Sequence, residues 1–198
     1  YASPLVLSGH IYQHARLGED EVVWCVDRKT GDVKWRQSYS TPFKIGGGGE
    51  NHGKGPKSSP TLADGRLFTL SISGFLSAWD QDTGELLWRR DYSSRFKTSH
   101  GGKQYAGHPY WGSSTSPLVD SGSVIVHFGT DFDGALIALD VKSGKEIWTQ
   151  GKDGPQYAAP ILADIQGTRQ IVEWNEKSLV GVESKSGRLL WELPYPGN

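Results

Sequence analysis

The chain has no methionine and one cysteine, Cys25, among its 198 residues. A single thiol cannot close a disulfide within the chain, so the fold has to be held by packing and hydrogen bonds. An excess of charge of either sign is also missing, since twenty-one Lys and Arg face twenty-two Asp and Glu for a formal net charge of -1. That balance excludes the basic footprint of a nucleic-acid or anionic-lipid binder. No apolar run approaches the roughly 20 residues that a spanning helix needs, so membrane insertion is not expected, and no signal peptide opens the chain. The chain starts at Tyr1, already inside a repeating unit, and is expected to be a piece of a larger protein.

Glycine, proline and tryptophan are abundant, at 26, 10 and 8 residues. Many turns and many large rings, with apolar runs of only five or six residues between glycines, point to all-β structure rather than helices. Four segments share one pattern, aligned on the turn glycines Gly31, Gly84, Gly144 and Gly187. Four positions before each glycine stands an acid (Asp27, Asp80, Asp140, Glu183), and just before it Thr or Ser (Thr30, Thr83, Ser143, Ser186). Four positions after it stands Trp35, Trp88, Trp148 or Trp191, and six before it a small residue, Cys25, Ala78, Ala138 or Gly181. An acid, two variable residues, Thr or Ser and then Gly is the chemistry of a type I turn closed by a left-handed glycine, the acid accepting from turn amides.

Each segment follows a proline (Pro4, Pro60, Pro117, Pro160) placed 28 residues before the Trp in the second unit and 31 in the others. A proline costs no ladder hydrogen bond at the start of a strand, so each repeat reads as a unit of about four strands. The expected units are 4–39, 60–92, 117–150 and 160–195, with long insertions at 41–57 and 93–114.

This array resembles the pyrroloquinoline-quinone-type (PQQ-like) β-propeller repeat family, whose motif is Ala-x-Asp-x-x-Thr-Gly-x-x-x-Trp. Ala78 to Trp88 match every fixed position, and Ala138 to Trp148 differ only by Ser143; Cys25 replaces the first Ala of the first copy, and the fourth has Gly181, Glu183 and Ser186. The resemblance implies a propeller of four-stranded antiparallel blades, with Trp35, Trp88, Trp148 and Trp191 packing between blades around the turn glycines. Four blades cannot close a ring of the family's size, so the remaining blades of a seven- or eight-bladed propeller are expected as immediate partners.

In propellers the blade-to-blade connections share a face with the loops between second and third strands. That implies one face bearing both insertions, with Glu50, Asn51, His52, His100, Tyr105, His108, Tyr110 and Trp111, together with Asp131 and Asp133 of the third unit. These are the candidate ligand-binding residues. His52, His100 and His108 would suit zinc or copper, but none has the short spacing of a metal motif, and no metal is expected. Gly48 to Lys54 imitate a phosphate-binding loop, yet Gly55 and Pro56 follow where Ser or Thr and a helix are needed. Trp24, Trp79 and Trp174 fall in strands and are expected in the core or between blades.

Two functions follow from the resemblance. The first is a noncatalytic binding or scaffolding module of the bacterial envelope, periplasmic or otherwise extracytoplasmic, with a protein or small-molecule partner on the long-loop face and no cofactor. The second is part of a quinoprotein dehydrogenase that would hold pyrroloquinoline quinone and calcium and oxidise an alcohol or sugar. No carboxylate or Asn of this chain can be matched to that second set, so the first is favoured, and no catalytic residue is named.

Overall fold

The computed structural model describes residues 2–45, 50–96, 99–100, 103–104 and 108–195, with the backbone alone at 50, 99–100 and 103–104. It is all-β, with no α-helix among the described residues. Four antiparallel four-stranded sheets follow one another along the chain, each with its strands in sequence order. The first holds β1 (Leu5–Leu7), β2 (His10–Leu17), β3 (Asp20–Asp27) and β4 (Val33–Ser40), and the second β5 (Thr61–Ala63), β6 (Arg66–Leu70), β7 (Phe75–Asp80) and β8 (Leu86–Asp91). A small hairpin, β9 (Ser99–His100) and β10 (Lys103–Gln104), separates these from the third sheet. That sheet contains β11 (Leu118–Asp120), β12 (Ser123–Gly129), β13 (Gly134–Asp140) and β14 (Glu146–Gln150). The fourth contains β15 (Ile161–Ile165), β16 (Thr168–Trp174), β17 (Ser178–Glu183) and β18 (Leu189–Pro194).

The sheets stack as propeller blades because the apolar residues of the two middle ones alternate between two junctions. Leu67 and Trp79 join Tyr12, Val23 and Trp35 of the first sheet. Their neighbours Phe68 and Ala78 face the other way, onto Val124, Ile137 and Leu139. Ile125, Leu136 and Ala138 then meet Ile171, Val180 and Val182. Strands buried on both faces read as near-continuous apolar runs, as β6, β12 and β13 do.

The repeated motif builds the same corner four times. Asp27, Asp80 and Asp140 each accept, through Oδ1, the two turn amides that follow, and the turn glycine closes on the acid's own carbonyl, as Gly84 N does on Asp80 O at 2.9 Å. Each small residue pairs directly with its Trp across the ladder: Cys25 with Trp35, Ala78 with Trp88, Ala138 with Trp148 and Gly181 with Trp191. A register shift follows at the same place in every sheet. A small side chain opposite the ring gives the indole room to swing across the sheet.

Trp174 departs from expectation. It is 51% exposed at the end of β16 and meets Tyr195 edge-on at 5.8 Å. The last residue of a strand that opens into a loop loses the cover its predecessors have. Trp79 is buried in the first junction and donates to Thr69 Oγ1 at 2.9 Å.

Candidate functional site: an aromatic slot between the loops

Three loops meet above the blades. The first insertion passes through a 3-10 turn, Glu50–His52, and ends at Lys57. The second ends in a tight turn in which Gly112 N donates to Pro109 O at 2.7 Å, lifting Tyr110 and Trp111 to its tip. Ser113 N donates to Ile72 O at 2.8 Å, tying that turn to the second blade. Gly112 itself has φ +91°, and a Cβ there would fall 2.2 Å from Ile72 Cγ1, so only glycine lets the turn lie this close. The third loop carries Tyr157, placed by the bridge between Pro155 and Asn175 and by Gln156 N on Trp174 O.

His52, Lys57, Trp111 and Tyr157 line a cavity of about 110 Å³. The Trp111 and Tyr157 rings are 5.6 Å apart, and the His52 ring is 6.1 Å from Trp111. Lys57 Nζ donates to Trp111 O at 2.5 Å, and burial lowers its pKa. Trp111 N donates to the Tyr157 hydroxyl at 3.2 Å, and that hydroxyl in turn donates to Asp131 Oδ1 at 3.4 Å. Asp131 Oδ2 accepts from Tyr110 N at 2.6 Å. Burial raises the Asp131 pKa against these hydrogen bonds, and burial beside Asp131 pushes the Tyr157 phenol well above its usual range. Tyr110, Trp111 and Tyr157 nevertheless stay 40%, 40% and 38% exposed.

The candidate residues therefore separate. His52, Tyr110, Trp111 and Asp131 come together, and Asn51 lies exposed in the 3-10 turn beside His52. His108 is buried with its ring 4.6 Å from Phe43, and its Nδ1 bonds Pro109 O at 2.9 Å. Burial lowers its pKa, and its contact with Phe43 packs the two insertions together. Asp133 shapes the β12–β13 hairpin, its carbonyl accepting from Thr130 N at 2.7 Å. Glu50 contributes backbone to the turn and His100 pairs with Lys103 in the small hairpin. Gly48 and Tyr105 lie outside the described residues. Lys57 and Tyr157 belong to the slot without having been singled out from the sequence. An aromatic residue in a connecting loop is the signal that points to Tyr157.

Two buried pairs of ionisable groups sit at blade junctions instead. Glu21, fully buried, accepts from Ile72 N of the next blade and from the Tyr39 hydroxyl, both at 2.9 Å, and lies 3.1 Å from His14 Nε2. His127 Nδ1 lies 2.7 Å from Glu173 Oε1 across the third junction, and its Nε2 donates to Asp153 O at 2.9 Å. Both partners of each pair are buried, and Glu21 and His127 each bond across a junction between neighbouring blades.

Calcium takes its oxygen ligands from carboxylates, side-chain and backbone carbonyls and water. Among the described residues no three His, Cys, Asp or Glu side chains group as cation ligands, and the Asp131 oxygens already serve Tyr110 and Tyr157. The described residues supply no such carboxylate cluster of their own, and no chemical step is derived through calcium or a quinone.

Similarity to known proteins follows the same division. Outer membrane protein assembly factor BamB of Kangiella koreensis is 28% identical over 160 residues, 76% of this chain and 34% of that protein. The dehydrogenase subunit of alcohol dehydrogenase (quinone) from Gluconacetobacter polyoxogenes is 32% identical over 167 residues, 73% of this chain and 21% of that protein. The crystal structure of quinohemoprotein alcohol dehydrogenase from Comamonas testosteroni superposes with a TM-score of 0.67 at 17% identity, over 98% of this chain and 34% of that one, which establishes the propeller fold. The chain thus spans about a third or less of the length of these relatives. The family described as outer membrane protein assembly factor BamB matches residues 19–198, nearly the whole sequence, and the chain belongs to that family of PQQ-like repeat propellers.

Proposed function

We propose that the full-length protein is a noncatalytic binding module of the bacterial envelope that holds a protein partner on its long-loop face and serves outer-membrane protein assembly, as the name of its Kangiella relative states for that protein. The observation that carries this reading is the exposed cluster of Tyr110, Trp111 and Tyr157, fixed by hydrogen bonds to Asp131 and to Ile72 of a rigid blade. Large rings held in place and left open to water are what protein interfaces use as anchors, because their burial gains much area at little entropy. The remaining blades of the propeller are the other expected partners.

Relatives named as quinone-dependent dehydrogenases support a second reading, in which the full-length protein oxidises an alcohol. Dye-linked alcohol oxidation by the full-length protein, assayed with added pyrroloquinoline quinone and calcium, separates the two. Turnover above the protein without additions would establish the dehydrogenase and end the binding-module reading.

A further inference from the structure

We propose that the slot formed by His52, Lys57, Trp111 and Tyr157 recognises a single aromatic ring that carries a carboxylate a few bonds away, the ring lying against Trp111 and Tyr157 and the carboxylate meeting the Lys57 ammonium. The inference rests on the reading of the loop face as a protein-binding face and names the chemical group that face would take.

Three observations carry it. The walls are rings: two aromatic side chains 5.6 Å apart and an imidazole 6.1 Å from the indole, around about 110 Å³ of space. Planar groups with positive edges and negative faces favour another ring there, offset or edge-on. Next, Lys57 has three N–H donors, of which the hydrogen bond to Trp111 O uses one. Burial lowers its pKa, so the ammonium is held partly out of water at the wall of the slot. A charge drawn partly out of water is costly, and an incoming anion relieves that cost. Finally, Asp131 does not fill this role. Its Oδ2 accepts from Tyr110 N and its Oδ1 from the Tyr157 hydroxyl, so it braces the aromatic wall from behind.

Two peptide sources offer this chemistry: the free C-terminus of a chain ending in an aromatic residue, or an aromatic residue beside an internal Asp or Glu. The test titrates the full-length protein with N-acetylphenylalanine, its amide and N-acetylalanine, reading tryptophan fluorescence and the Trp111 indole resonance. The acid is expected to bind at least about tenfold more tightly than either the amide or the ring-less acid, a difference of about 1.4 kcal/mol. Lys57→Gln should reduce the preference for acid over amide to near unity, whereas Lys57→Arg keeps it; Trp111→Leu should lose both ligands. Amidated peptides with and without an internal Asp-Phe pair, compared with a peptide ending in free Phe, then distinguish the two sources. Equal affinity of the wild-type protein for acid and amide, or no perturbation of the Trp111 resonance by any probe, overturns the inference. In that event, loss of outer-membrane assembly in a Trp111→Ala strain would still uphold the face as a binding surface.

Discussion

The six-membered ring of Trp88 lies so close over Gly144 that a Cβ on that glycine would fall 2.6 Å from Cδ2 of the indole. Trp35 covers Gly84 and Trp148 covers Gly187 in the same way, so the Trp of each of the first three blades seats on the next blade's turn. The indole nitrogen completes the contact, Trp88 Nε1 donating to Val141 O at 3.1 Å and Trp35 Nε1 to Gln81 O at 2.9 Å. Trp191 instead lies over Gly181 of its own sheet and donates to Gln170 Oε1 at 2.7 Å, while no atom of the described residues approaches within 4 Å of a Cβ at Gly31.

Gly144→Ala and Gly31→Ala separate backbone strain from the indole contact. Both glycines have positive φ, +65° and +79°, and each alanine should lose about 1–2 kcal/mol from the left-handed backbone. Gly144→Ala should lose more, because its methyl displaces Trp88. Chemical denaturation of both variants gives the difference, and equal losses would mean that the ring contact contributes nothing.

Trp88→Ala is expected to cost about 3–5 kcal/mol, since the ring is buried and bonded. Trp148→Ala should cost less, because Trp148 is only half-buried and its Nε1 has no hydrogen-bond partner among the described residues. Thermal melts in which Trp148→Ala is the more damaging would contradict that order.

The architecture was legible because its determinants are local. A turn that needs an acid, a hydroxyl and a left-handed glycine within five positions writes them next to one another, and Asp80 to Gly84 can be read directly. The slot was only half legible. Lys57 meets a carbonyl 54 residues away and Tyr157 an amide 46 residues away, contacts that no periodicity encodes. Length and composition marked the second insertion and so Trp111, but not the short third connection that brings Tyr157. His108 and Trp111 stand three positions apart in one insertion, yet one is buried against Phe43 and the other open, because the Pro109–Gly112 turn reverses the chain between them.

Removing one member of a buried pair should be worse than removing both. His127→Ala leaves the Glu173 carboxylate, 1% exposed on its side chain, without its partner and should cost about 3–5 kcal/mol. His127→Leu combined with Glu173→Leu should recover much of that loss. A double variant as unstable as the sum of its singles would show that the two groups act independently.

Acid should loosen the blade corners. Hydrogen bonds from Thr30, Thr83 and Ser143 hold Asp27, Asp80 and Asp140 below the ordinary value of 3.8. Groups so depressed contribute stability that is present above 3.8 and lost as pH falls through their folded values. Asp131, raised by burial, runs the other way and loses its contribution as pH rises above 3.8. The melting midpoint should therefore fall below pH 3.8, and Asp140→Asn should make that acid slope shallower. A slope unchanged by Asp140→Asn would rule out the turn as its source.

The proposed role of the aromatic loop cluster in binding a partner during outer-membrane assembly is open to direct measurement. It is tested by the amount of folded outer-membrane protein in cells whose only full-length copy carries Trp111→Ala and Tyr157→Ala. At wild-type levels of the folded variant, assembly should drop toward that of cells lacking the protein. Undiminished assembly under those conditions would contradict the claim.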